Sequence, residues 1–339
     1  MPKPVAVVFI HGLAKKPAPE KLEEIWLDGL GLDNPRPDVF AAPNPGVNLE
    51  VKGVPYRFNY YADVFYGTDY ETEFGSYYEM AETKVADAEG LARIEAELTP
   101  PQPSTPREKA FLESMEAKLD VAAVPSTVTE PEPAPGEGTP IGAGGSAELE
   151  IASWLPASVK QAIIRKAAME SYYFLFNKPY TRADGTTFQV RDELRNRLLK
   201  DLAEARKAAD KVVIVSHSMG TMVAYDVLRN CPDCPHVDTL ITVGSPLGIQ
   251  EVQDELRAAD APALDFPARA LDRWVNVYDP LDPVCGADPK LSNDYAAVTG
   301  KSVVDIKESN WGSWRHTITH YFAGTQFRAQ LSAALGLTK

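Results

Sequence analysis

The sequence predicts an α/β protein, a mostly parallel sheet with helices on both faces. Three observations lead there. Residues 5–10 and 212–215 are apolar runs dominated by Val and Ile, without polar alternation, as strands covered on both faces require. Segments with apolar residues at helical spacing alternate with such runs along the chain. The strand-like runs end in turns of Gly, Pro and small polar residues, and in an open α/β sheet that edge is where ligands gather.

The elements follow in order. Residues 5–10 form the first strand and end at His11-Gly12-Leu13. A helix over 19–30 sets Leu22, Ile25 and Trp26 on one face. Residues 35–55, rich in Pro, Gly and Asn, are expected as loop, and 56–66, which alternate in part, as a strand. A helix over 157–176 carries Val159, Ile163, Ile164 and Ala167 at helical spacing and ends in Tyr172, Tyr173, Phe174 and Phe176. It fits a lid over an acyl pocket as well as a helix packed on the sheet, because periodicity does not say what a helix packs against. An amphipathic helix over 190–209 feeds the strand at 212–215. Strands at 239–243, 274–278 and 302–306 come next, the first ending in Gly244-Ser245-Pro246 and the second in a loop from Asp279 to Val284. A loop holding His316 and His320 and a helix over 324–335 complete the order.

At 339 residues and 44% hydrophobic, the chain can bury a sizeable core. Its net charge of −14 repels phosphates and argues against a nucleic-acid partner. That charge is concentrated: residues 66–150 hold eighteen acidic against five basic side chains, and the rest is near neutral. The expected organisation is therefore a catalytic core over 1–66 and 153–339, interrupted by an acidic, Pro-rich insertion over 67–152. Within the insertion, 107–119 is a helix candidate. Residues 124–146 have too few apolar groups to offset their ordering entropy and are expected as a mobile flap beside the site, repelling anionic substrates and anionic membrane surfaces. No run of about eighteen apolar residues and no secretory leader is evident, so a cytoplasmic protein without stable membrane insertion is expected. Cys231 and Cys234 form a lone C-x-x-C. Without a second ligand pair it suits buried thiols or a local disulfide better than a metal site, and no metal is expected.

The turn Ser216-His217-Ser218-Met219-Gly220 joins the strand at 212–215 to a helix with Met222, Val223 and Val227 at helical spacing. A serine there has its hydroxyl pushed out of the turn while the first N–H groups of the helix point toward whatever it attacks. The pattern is Ser-x-Ser-x-Gly, with Ser216 small enough to stand where a glycine is usual. With His11-Gly12-Leu13 before it and the Asp and His loops after it, the chain resembles the α/β-hydrolase superfamily in its order of oxyanion loop, Ser, Asp and His. The resemblance covers the first sixty residues and everything after about residue 190. It implies Ser218 as nucleophile and Asp282, just before Pro283-Val284, as the acid, with Asp279 the runner-up as a turn-initiating residue. It implies His316 as the base, with His320 as a packing neighbour, and backbone N–H groups of Leu13 and Met219 as the oxyanion hole. His11, Gly12 and His217 are expected to line the substrate site, although His217 points away from Ser218 along the strand as a structural residue does.

The expected function is a serine esterase or lipase-like hydrolase that cleaves carboxylic esters through an acyl-enzyme, with no cofactor. The same triad would serve an amidase, peptidase or thioesterase, since nothing in it reads the leaving group. A non-catalytic binding module on the same fold is the alternative of a different class. The physiological ester and the oligomeric state are left open.

Overall fold

The two apolar runs lie side by side at the centre of one sheet. In the computed structural model the described residues are 3–12, 15–70, 101–123, 157–257, 263–285, 288–311 and 315–337. Strand β1 (Lys3–Ile10) pairs with β2 (Tyr56–Asn59) on one side and with β5 (Ala209–His217) on the other. Beyond β5 come β6 (Val237–Val243), β7 (Leu271–Tyr278) and β8 (Val303–Lys307), every pairing parallel. The register sets Ile10 beside Ser216 and His217 beside Val243. The carboxyl ends of β1, β5 and β6 are therefore nearly flush, and the strand order reverses between β1 and β5, where a ligand crevice is expected.

Successive strand residues face opposite sides, and each side buries its own apolar cluster. One holds Val5, Val7, Phe9, Val213, Val215, Ile241 and Val275. It is covered by α1 (Pro19–Gly31), α8 (Ile318–Ala323) and α9 (Thr325–Ala334). The other holds Ala6, Val8, Ile10, Val212, Ile214 and Leu240. It is covered by α4 (Ala157–Leu175), α5 (Val190–Ala208), α6 (Met219–Asn230) and α7 (Gln250–Leu256). In α5 the buried stripe is Val190, Leu194, Leu198 and Leu202, one residue per turn, with Asp192 and Glu193 in the first turn and Arg206 and Lys207 in the last, as the helix dipole favours. Two helices in contact share one buried ion cluster. Arg195 of α5 clamps Asp226 of α6 at 2.6 and 2.8 Å, and Arg191 adds a contact at 3.2 Å.

Inside the acidic segment, α3 (Pro106–Ala123) sets Phe111 and Met115 into the same core as α4. The aromatic end of α4 is core too, with Tyr172, Tyr173, Phe174 and Leu175 buried. Val159, Ile163, Ile164 and Ala167 are outside the described side chains, as the 124–146 segment is outside the described residues.

The strand expected over 56–66 is shorter than its alternation suggests. It ends at Asn59, and Asp63–Tyr66 form a one-turn helix, α2. The chain leaves the sheet because Tyr61 turns inward: its N–H donates to His11 Nε2 at 3.0 Å and its hydroxyl to His11 O at 2.9 Å. Residues 318–323, expected as loop, form α8, and two further elements had no counterpart in the sequence reading, α7 and a small hairpin of β3 (Pro179–Thr181) and β4 (Thr187–Gln189). Both are too short to show periodicity; the hairpin's one local signal is Asp184-Gly185 at its turn. Among the described residues, no helix is long and apolar enough to cross a membrane.

Candidate active site

Ser218 sits between the last residue of β5 and the first of α6 with φ 53° and ψ −129°, a conformation that L-residues rarely adopt. The surroundings hold it there. Its N–H donates to Val243 O at 3.1 Å, and its carbonyl accepts from the Thr221 hydroxyl at 2.7 Å. Thr221 Oγ1 lies 2.8 Å from Ser245 Oγ, which in turn caps the turn Pro246–Gly248 by accepting from Leu247 N–H at 3.2 Å. Gly220 is required by close approach. A Cβ there would lie 2.5 Å from His11 O and 2.8 Å from Ile10 O, so only glycine lets α6 start against the end of β1. Ser216 is buried in the strand at the position where glycine is usual, its hydroxyl 3.5 Å from Ile241 O.

Gly12 faces the serine directly. A Cβ on it would come within 2.7 Å of Ser218 Cβ and 3.4 Å of Ser218 Oγ. His11 holds this loop in shape. Its Nδ1 donates to Gly12 O at 2.7 Å, its Nε2 accepts from Tyr61, and its ring stacks on Tyr61 with centroids 4.1 Å apart. Burial, then the charge of Lys16, depress its pKa well below the ordinary imidazole value, so it is neutral. Leu13 lies outside the described residues. Met219 is the first residue of α6, and its N–H is among those with no partner inside the helix.

The loops after β7 and β8 bring the expected acid and base together. His316 Nδ1 donates to both carboxylate oxygens of Asp282, at 3.0 and 2.9 Å. Asp282 also accepts from Val284 N–H at 2.8 Å and from the Tyr321 hydroxyl at 2.7 Å. Burial works to raise its pKa, but the charge of His316 and these donors outweigh it and hold the carboxyl below its usual range. Asp279 is not part of this pair. Its oxygens accept from Leu281 N–H at 2.8 Å, Asn310 N–H at 2.7 Å and Arg315 at 3.3 Å, and burial raises its pKa.

His316 and Ser218 flank the same backbone. Ser218 is bonded to Val243, and a Cβ on the next residue, Gly244, would lie 2.9 Å from Asp282 Oδ2 and 3.1 Å from His316 Nδ1. His217 closes the contact from behind, its Nε2 donating to His316 O at 2.9 Å and its ring 4.6 Å from the His316 ring. His11 and His217, expected to line the substrate site, are thus both bonded to backbone. The His320 ring packs on Trp311, centroids 3.8 Å apart and planes tilted by 30°, and burial pushes its pKa down to about 3. Ser218, Asp282 and His316 are 1, 0 and 5% exposed. Among the described residues, Ser218 Oγ has no hydrogen-bond partner.

Residues 150–263 match a family model described as the PGAP1-like alpha/beta domain. The fold is of the α/β-hydrolase type. The matched stretch contains the elbow, with His217, Ser218 and Met219, and stops short of the loops that supply Asp282 and His316. No curated protein matches the chain. Cys231 and Cys234, near the opposite end of α6 from Ser218, are buried free thiols whose pKa values burial raises, Cys234 to about 12. Among the described residues, no cluster of three or more His, Cys, Asp or Glu is arranged to hold a metal.

Proposed function

We propose that the protein is a serine hydrolase that cleaves carboxylic esters through an acyl-enzyme on Ser218. The observation that carries this reading is the buried His316–Asp282 pair facing the carboxyl end of β6, beside a serine in strained backbone geometry with an unpartnered hydroxyl. A hydroxyl is a weak nucleophile at its own pKa and needs a base. His316 engages Asp282 through Nδ1, so its other ring nitrogen, Nε2, is the atom that takes the Ser218 proton as Oγ adds to the ester carbonyl. Catalytic hydrogen bonds of this kind are often long before substrate binds and tighten in the reacting complex. Asp282 fixes the imidazole tautomer and stabilises the imidazolium.

The tetrahedral oxyanion is held by Met219 N–H and, following the resemblance, by Leu13 N–H, each donor worth about 3 kcal/mol of barrier. The imidazolium then returns the proton to the departing alkoxide. Water, deprotonated by the same imidazole, attacks the acyl-serine, and the second collapse frees the carboxylic acid and Ser218. Gly12 keeps the space over Ser218 open, and His11 and His217 position the two loops. These steps need a small-molecule ester and no cofactor. Every residue in them comes from 1–66 or 153–339, the stretches assigned to the catalytic core.

A fluorophosphonate probe tests the reading. Wild-type protein is expected to form one adduct on Ser218 and to hydrolyse short p-nitrophenyl esters. Ser218→Ala is expected to lose the adduct and at least about 10⁴-fold of the rate. Full activity in that variant, or no adduct on folded wild type, would overturn it.

A further inference from the structure

Two carboxylates three residues apart leave the end of β7, both buried, and only one reaches the base. The side chain that touches this choice from both sides is Tyr321 of α8. Its hydroxyl donates to Asp282 Oδ2 at 2.7 Å and accepts from Asp279 N–H at 3.2 Å. It thereby ties the loop, between its two acids, to the helix that follows His316 by one residue. We propose that Tyr321 is a positioning residue of the hydrolytic reaction: its hydroxyl aims the Asp282 carboxylate at His316 Nδ1 and keeps it ionised. The proposal rests on the hydrolase reading above.

The geometry around Asp282 leaves this hydroxyl little to duplicate it. Val284 N–H occupies Oδ1, the Tyr321 hydroxyl occupies Oδ2, and His316 donates across both. The titratable and charged groups facing the carboxylate are few. From its own loop come Asp279 and the Cys285 thiol, itself bonded to Asp279 O at 3.4 Å; from the next loop, His316, with Arg315 turned to Asp279; from α8, Tyr321 and the neutral His320. Without the hydroxyl, Asp282 would keep its burial and lose one of two neutral donors, so the carboxylate would hold a proton more readily. Tyr321 is completely buried between the sheet and α1, and burial raises its own pKa, so its hydroxyl stays a donor throughout the working range. A tyrosine used only to fill this space would be replaced by phenylalanine without chemical effect.

Tyr321→Phe keeps the ring and removes the donor. Expected are a fall of about 10- to 100-fold in kcat/KM for p-nitrophenyl acetate and an acid limb of its pH profile moved up by about one unit. The low-field proton resonance of the His316 Nδ1–H···Asp282 bond is expected to shift. Site-specific 3-fluorotyrosine, a stronger donor on the same ring, should move the acid limb the other way, and it decides the matter if the Phe variant does not fold. Unchanged kcat/KM, acid limb and low-field proton in Tyr321→Phe would overturn the proposal. Wild-type protein that hydrolyses no ester would count against the hydrolase reading alone, because the low-field proton still reports whether Tyr321 sets the pair.

Discussion

At the scale of residues, the site depends on which of two acids is bonded to His316. Asp282→Asn is expected to lower kcat about 10⁴-fold, because an amide cannot hold the working imidazole tautomer, and to cost about 2 kcal/mol of stability, because folding holds this carboxyl below its usual range. Asp279→Asn is expected to keep kcat within about tenfold, because its bonds from Asn310, Leu281 and Arg315 lie off the His316 pair, and to shift stability little, because burial already opposes its charge. Steady-state kinetics beside urea melts of both variants check this, and an exchange of the two phenotypes would assign the acid to Asp279. The candidate Asp and His were legible before any coordinates, through the Asp-Pro-Val turn and the resemblance of the His316 loop. Tyr321, Tyr61 and the Thr221–Ser245 pair were not. Each acts through a hydrogen bond to a partner distant in the sequence, and no local pattern encodes such a bond. The one available hint was the Tyr-Phe pair five residues after His316.

Among the elements, α3 gives the clearest test of how the acidic segment joins the rest. Glu108 on α3 accepts from Lys178 at 2.8 Å, from Tyr172 at 2.7 Å and from Ser104 N–H at 2.8 Å. Burial opposes its ionisation, yet these donors win and pull its pKa from 4.5 to about 2. A carboxyl depressed by folding contributes stability above its unfolded value and loses it as pH falls toward its folded one, here from about 4.5 to about 2. Glu108→Gln is therefore expected to cost about 2 kcal/mol at pH 7. The gap to wild type should close over that acid window in denaturant titrations, and a gap independent of pH would mean that the ion pair does not hold α3. The long amphipathic helices and the buried strands were visible from periodicity and apolar runs. The early end of β2 was not, because the pull of His11 on Tyr61 overrides the alternation that continues to Tyr66.

For the whole molecule, the sequence displayed the alternation of strands and helices but not the order of strands in the sheet. Nothing in residues 5–10 announces that they will lie between β2 and β5; that is settled by long-range pairing. The pairing makes the centre of the sheet a seam between chain segments about two hundred residues apart, Val7 beside Val213 and Ile10 beside Ser216. A second seam joins α3 to α4 and to Lys178. Two polypeptides cut within residues 124–146 would each carry one side of both seams, and co-expressed they are expected to assemble and recover ester hydrolysis. The larger half alone should be inactive, since it lacks the strand that brings Gly12 to Ser218. Activity in that half by itself would show that β1 is dispensable. Chain continuity through the acidic segment is then a convenience of synthesis, and the proposed hydrolase is in effect two interlocking pieces whose join runs through the candidate site.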